Sequence, residues 1–79
     1  MEEVKTRELK IELFIPGELK DEPVICRMIR EYDVDLKIVE ASFSTDSGWA
    51  YLIVSGEKNE LARLFEDLQS KGIRIELKD

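Results

Sequence analysis

The chain has 79 residues, 43% of them hydrophobic and 38% charged, and a formal net charge of −6. That suits one globular domain, is too apolar for a disordered chain, and disfavours nonspecific attachment to nucleic acid or acidic lipid. The single cysteine, Cys26, excludes an internal disulfide, and the lack of histidine removes the commonest general base and zinc ligand.

Residues 1–7 are polar and read as a loose segment ahead of one domain over 8–78. Met1 to Lys10 holds no apolar signal core, and no apolar run approaches the roughly 20 residues that span a bilayer. The expected location is therefore the cytoplasm, without membrane insertion. Leu9, Ile11, Leu13 and Ile15 alternate with polar neighbours as a first strand, which Pro16-Gly17 stops. Glu22-Pro23 suits a helix start. Ile25, Met28, Ile29 and Tyr32 then recur at i, i+3, i+4 and i+7, which predicts a core-facing helical stripe ending near Asp33.

Val34, Leu36 and Ile38 alternate as a second strand, but Ala41 and Phe43 have the opposite parity, so a β-bulge is expected near Val39-Glu40. Ser44 to Gly48 is a turn, and Trp49 to Val54 is a third strand, apolar on both faces. Leu61, Leu64, Phe65 and Leu68 define a second helix, closed by Lys71-Gly72. Ile73, Ile75 and Leu77 form a fourth strand.

The order β-α-β-β-α-β predicts an α+β, ferredoxin-like sandwich. Two right-handed crossovers put both helices on one face of an antiparallel sheet of order 4-1-3-2. By parity the covered face takes Leu9, Ile11, Leu13, Ile15, Val34, Leu36, Ile38, Ala50, Leu52, Val54, Ile73, Ile75 and Leu77. The open face takes Phe14, Trp49, Tyr51 and Ile53 among charges of both signs, including Lys10, Glu12, Lys37 and Arg74.

Four large side chains in adjacent rows make an apolar patch, which a monomer seldom leaves bare. It reads as an interface for a second copy or another protein, or more blandly as a surface shaded by long charged stems. Ribonucleoprotein-type RNA-binding domains share this strand order and stack bases on such aromatics. Here Ser47 stands where their basic residue precedes the glycine, and the acidic balance opposes RNA. Cys26, one residue off the helical stripe, reads as a small, partly buried side chain. Glu60, Arg63 and Asp67 read as ordinary helix surface. Neither a catalytic constellation nor a metal or cofactor motif emerges, so the chain is not expected to be an enzyme.

The run from Pro16 through Asp21-Glu22-Pro23-Val24-Ile25-Cys26-Arg27-Met28-Ile29-Arg30-Glu31-Tyr32-Asp33-Val34-Asp35 resembles the NIL domain. Val54-Ser55-Gly56 and Gly72-Ile73-Arg74-Ile75-Glu76 extend the resemblance across nearly the whole chain. It implies an ACT-like fold, similar to the carboxy-terminal regulatory domain of methionine-importing ABC transporter ATPases, which pairs with a second copy and binds methionine at the dimer. NIL domains are also joined to ferredoxin-like iron–sulfur modules. Two positions depart from the pattern. Asp33 stands where glycine is frequent, and a positive φ is expected there. Lys37 stands where methionine-binding members commonly have asparagine, replacing an amide with an ammonium.

The resemblance implies a freestanding regulatory domain that senses a sulfur-containing amino acid such as methionine at a homodimer interface. Lys37, Val39 and Phe43 are its candidate ligand residues. Phe14, Trp49, Tyr51 and Ile53 are the candidate dimer or partner surface. The alternative is a non-enzymatic subunit docking on a separate transporter, iron–sulfur or sulfur-transfer protein, with RNA binding as a lesser reading.

Overall fold

The computed structural model describes residues 6–19, 21–44 and 46–78. Strand β1 (Thr6–Ile15) leads through a short 3-10 turn (Gly17–Leu19) to helix α1 (Val24–Glu31). Strands β2 (Val34–Phe43) and β3 (Gly48–Glu57) form a hairpin, and helix α2 (Lys58–Ser70) returns the chain to β4 (Arg74–Lys78). The four strands are antiparallel neighbours in the order β2-β3-β1-β4, which is the expected 4-1-3-2 read from the other edge. The chain is therefore a ferredoxin-like α+β sandwich. Of the expected loose segment, residues 1–5 lie outside the described residues, whereas Thr6 and Arg7 pair with Glu57 and Gly56.

The core forms where apolar rows from sheet and helices meet. Ile11 and Leu13 of β1, Ala50, Leu52 and Val54 of β3, and Leu61, Leu64 and Leu68 of α2 are all buried. Full burial of a leucine-sized side chain stabilises by roughly 1.5–3 kcal/mol over exposure. The parity slip in β2 is a bulge, since Ile38 pairs with Leu52 and Glu40 with Tyr51, leaving Val39 without a partner on β3. Helix α2 closes on Gly72, whose φ is 88°, with Ile73 N–H donating to the Leu68 carbonyl at 3.1 Å and Gly72 N–H to that of Gln69 at 3.0 Å.

Four expectations are corrected. Helix α1 buries Val24 and Met28 and packs Ile25 and Tyr32 against the core, while Ile29 is 52% exposed, so the helix is turned to take in Val24 and leave out Ile29. That rotation leaves the Cys26 thiol exposed rather than partly buried. Asp33 does not adopt a positive φ. Instead α1 stops at Glu31, Tyr32 is extended at φ −127°, and Val34 N–H donates to the Tyr32 carbonyl at 3.0 Å, the hydrogen bond of an inverse γ-turn. Ile38 and Leu77 lie on the helix-covered side by register yet are 51% and 66% exposed. Parity chooses the side, but cover needs a helix above it. The 8 residues of α1 extend about 12 Å, against about 34 Å for the 10 of β2.

Candidate interaction surfaces on the open sheet face and the β2 edge

On the open face the register sets Phe14 opposite Trp49, Glu12 opposite Tyr51 and Lys10 opposite Ile53. All four apolar residues are half-buried in the single chain. Charged neighbours cover two of them, Trp49 and Phe14. Glu12, on the central strand β1, accepts the indole N–H of Trp49 at 2.7 Å and pairs with Lys78 Nζ at 2.7 Å. The Arg74 guanidinium lies 4.2 Å from the Phe14 ring centre. The hydrogen bonds from Lys78 and Trp49 hold the Glu12 carboxyl below its usual range, and the same contact raises the Lys78 ammonium. The indole thus has its polar end satisfied and the Phe14 ring face is occupied, which leaves less of a platform for stacked bases.

Strand β2 is an edge of the sheet. Lys37 pairs with Ile53, Glu40 with Tyr51 and Ser42 with Trp49, so these three face the open side. Leu36, Ala41 and Phe43 pair with Val54, Ala50 and Gly48 and face the helix side. Phe43 lies against Gly48, where an added Cβ would come within 2.6 Å of its ring, and is 57% exposed. Its outer surface helps line a mainly apolar groove of about 260 Å³ with Ile15, Leu19, Ile25 and Gly48. Within one copy, then, Lys37 and Phe43 stand on opposite faces, and Val39, 47% exposed, lies at the bulge between them. The three ligand candidates share a strand but not a pocket.

A further cleft, not anticipated from the sequence, lies between the helices. It encloses about 170 Å³ over Val24, Met28, Leu64 and Leu68. Tyr32 O–H closes one side by donating to Asp67 Oδ2 at 2.8 Å, with the Arg63 guanidinium 4.7 Å from its ring centre. Glu60 binds Arg63 and also accepts the backbone N–H of Asp33 at 2.9 Å. Those contacts hold the Glu60 carboxyl below its usual range, while burial and the Asp67 hydrogen bond raise the Tyr32 phenol. Glu60, Arg63 and Asp67 therefore tie α2 to the end of α1, beyond their role as helix surface. The signal was available in the spacing 60, 63 and 67, which places them along one side of α2.

Comparison with known proteins gives one family. The model described as NIL domain matches residues 9–77. Among solved structures, the crystal structure of the C-terminal domain of an ABC transporter ATP-binding protein from Enterococcus faecalis superposes with a TM-score of 0.73 at 22% identity. It covers 87% of this chain and 81% of that one. A de novo designed protein, Foldit4, superposes with a TM-score of 0.55 at 15% identity over 95% of this chain and 98% of its own. Both likenesses are of fold. No curated protein sequence matches significantly.

Proposed function

The chain belongs to the NIL domain family, and on that premise we propose that it is a non-enzymatic regulatory module binding a small sulfur-containing amino acid between two copies of itself. The observation that carries this reading is the family match across residues 9–77. The same fold in the C-terminal domain of an ABC transporter ATP-binding protein agrees with this reading. No described helix is long and apolar enough to cross a membrane.

In this reading Lys37 on the open face, near Val39 at the bulge, and the apolar groove beside Phe43 on the other face are two alternative seats for the ligand, because one small amino acid does not reach both faces of the sheet. The ligand acts by population shift: it is held better by one arrangement of the pair and so favours that arrangement. Calorimetric titration with methionine and homocysteine tests the proposal. Saturable heat is expected, and a stable protein that gives none at millimolar ligand removes the sensor reading.

A second reading is favoured by the open face. Glu12 and Arg74 hold Trp49 and Phe14 in place, and an ordered, half-buried aromatic surface suits docking on a separate protein. Capture of a stoichiometric transporter or iron–sulfur partner that is lost with Trp49→Ala, without any ligand heat, would favour this reading over the sensor.

A further inference from the structure

We infer that the cleft between α1 and α2 binds a small primary amine, whose apolar tail enters the cleft and whose ammonium rests on the Glu31 and Asp67 carboxylates. The site lies within one copy, away from the open face and the β2 edge. The inference therefore goes beyond the proposed function and does not rest on it.

The cleft sets the size of the tail. Val24 and Met28 of α1 and Leu64 and Leu68 of α2 are buried and close its bottom. Half-buried Leu19 and Tyr32, with the stems of Arg27 and Lys71, make its walls. Its volume of about 170 Å³ lies below the roughly 300 Å³ at which pockets for drug-sized ligands begin. A tail of a few carbon atoms fits, and a larger ligand does not.

The rim sets the head group. It carries three acids, Glu22, Glu31 and Asp67, against two cations, Arg27 and Lys71. Both cations are already matched: Arg27 lies 2.6 Å from Glu22, and Lys71 lies 3.5 Å from Asp67 Oδ2. Tyr32 O–H donates its one proton to the same Oδ2. Among the described residues, Asp67 Oδ1 and the exposed Glu31 carboxylate have no hydrogen bond or ion pair. Both acids act on one spot, because Glu31 adds to the burial and the Asp67 contact that raise the Tyr32 phenol. What the rim has to spare is acceptor and negative charge. An ammonium brings three donors, no acceptor and the missing positive charge. A carboxylate would add a fourth acid, and a hydroxyl would leave the charge unmatched.

Methionine-methyl NMR tests this, because Met28 lies at the bottom of the cleft. The probe is 3-methylbutylamine, which is charged near pH 7 as a lysine side chain is. With the Met28 methyl assigned through Met28→Leu, its resonance should move saturably with a millimolar dissociation constant, since an ion pair at an exposed rim adds little. The matching alcohol and carboxylate, 3-methylbutanol and 3-methylbutanoate, should bind several-fold more weakly. Glu31→Gln, on the helix surface, should weaken the amine roughly two- to fivefold, and Lys71→Gln should tighten it by freeing Asp67. A Met28 methyl unmoved by amine well above millimolar concentration overturns the inference. So do equal shifts from amine, alcohol and carboxylate, which would mean that filling the cleft does everything. Indifference to Glu31→Gln, or weaker binding in Lys71→Gln, removes the ammonium seat and overturns it as well.

Discussion

Glu12 and Trp49 lie on adjacent strands one diagonal step apart, and the Glu12 carboxylate accepts the indole N–H at 2.7 Å while pairing with Lys78 on the other side. One carboxylate thus links β3, β1 and β4 across the uncovered face. It makes that face ordered without any helix over it.

Acid should loosen this link. The Lys78 and Trp49 hydrogen bonds hold the Glu12 carboxyl below its unfolded value, which is near 4.3. Its stabilising contribution is complete above that value and is lost as pH falls through the lower, folded one, because the unfolded chain binds the proton first. Glu60, lowered by Arg63 and the Asp33 N–H, acts in the same direction. Urea unfolding followed by Trp49 fluorescence should therefore show stability falling below about pH 4.3. Glu12→Gln should flatten that fall and shift the indole emission. An unchanged acid slope in Glu12→Gln would show that the contact contributes nothing.

The two faces of α1 should respond differently to truncation. Met28 is buried against the core and Ile29 is exposed. Met28→Ala should cost about 2–5 kcal/mol, and Ile29→Ala within about 0.5 kcal/mol, in chemical unfolding of the isolated chain. Equal losses would return the helix to the stripe that its spacing alone predicts.

Two glycines should resist substitution for different reasons. A Cβ on Gly17 would run into the backbone carbonyl of Asp46 at the tip of the β2–β3 hairpin, which cannot swing aside as a side chain can. Gly72 has open space around it but a φ of +88°. Gly17→Ala is expected to cost about 1–3 kcal/mol through displaced backbone, and Gly72→Ala about 1 kcal/mol through the left-handed conformation. If Gly17→Ala leaves the melting temperature unchanged, the two turns do not touch as described.

Tyr32→Phe should release the tether between the helices. It deletes the hydrogen bond to Asp67 and keeps the ring beneath Arg63. A loss of about 1 kcal/mol is expected, with faster amide exchange at the end of α1. Unchanged exchange would mean that packing alone holds the cleft.

Much of this architecture was legible because its signals are periodic. Alternation marks the strands, and the parity slip between Ile38 and Ala41 marks the bulge. Faces were legible and cover was not. Ile38 and Leu77 take the helix side that parity gives them, yet a short α1 and the positions of the helices leave them in water. Helix phase was ambiguous because Val24 and Ile25 both begin an apolar i, i+4 series, to Met28 and Ile29. Packing chose the first and exposed Cys26. Asp33 escaped the left-handed conformation because the chain could leave α1 through an extended Tyr32, with Glu60, distant in sequence, accepting the Asp33 N–H. The candidate ligand residues shared a strand in the sequence, but which face each took depended on the bulge, and so Lys37 and Phe43 are parted.

The central claim is that a small amino acid is held between two copies of this chain. Sedimentation equilibrium of the unaltered protein, with and without millimolar methionine, tests it most directly. A ligand bound between copies must lower the dimer dissociation constant, by linkage, as far as dimer formation raises its own affinity. A several-fold tightening is predicted. A dissociation constant unmoved by methionine and by homocysteine would contradict the claim.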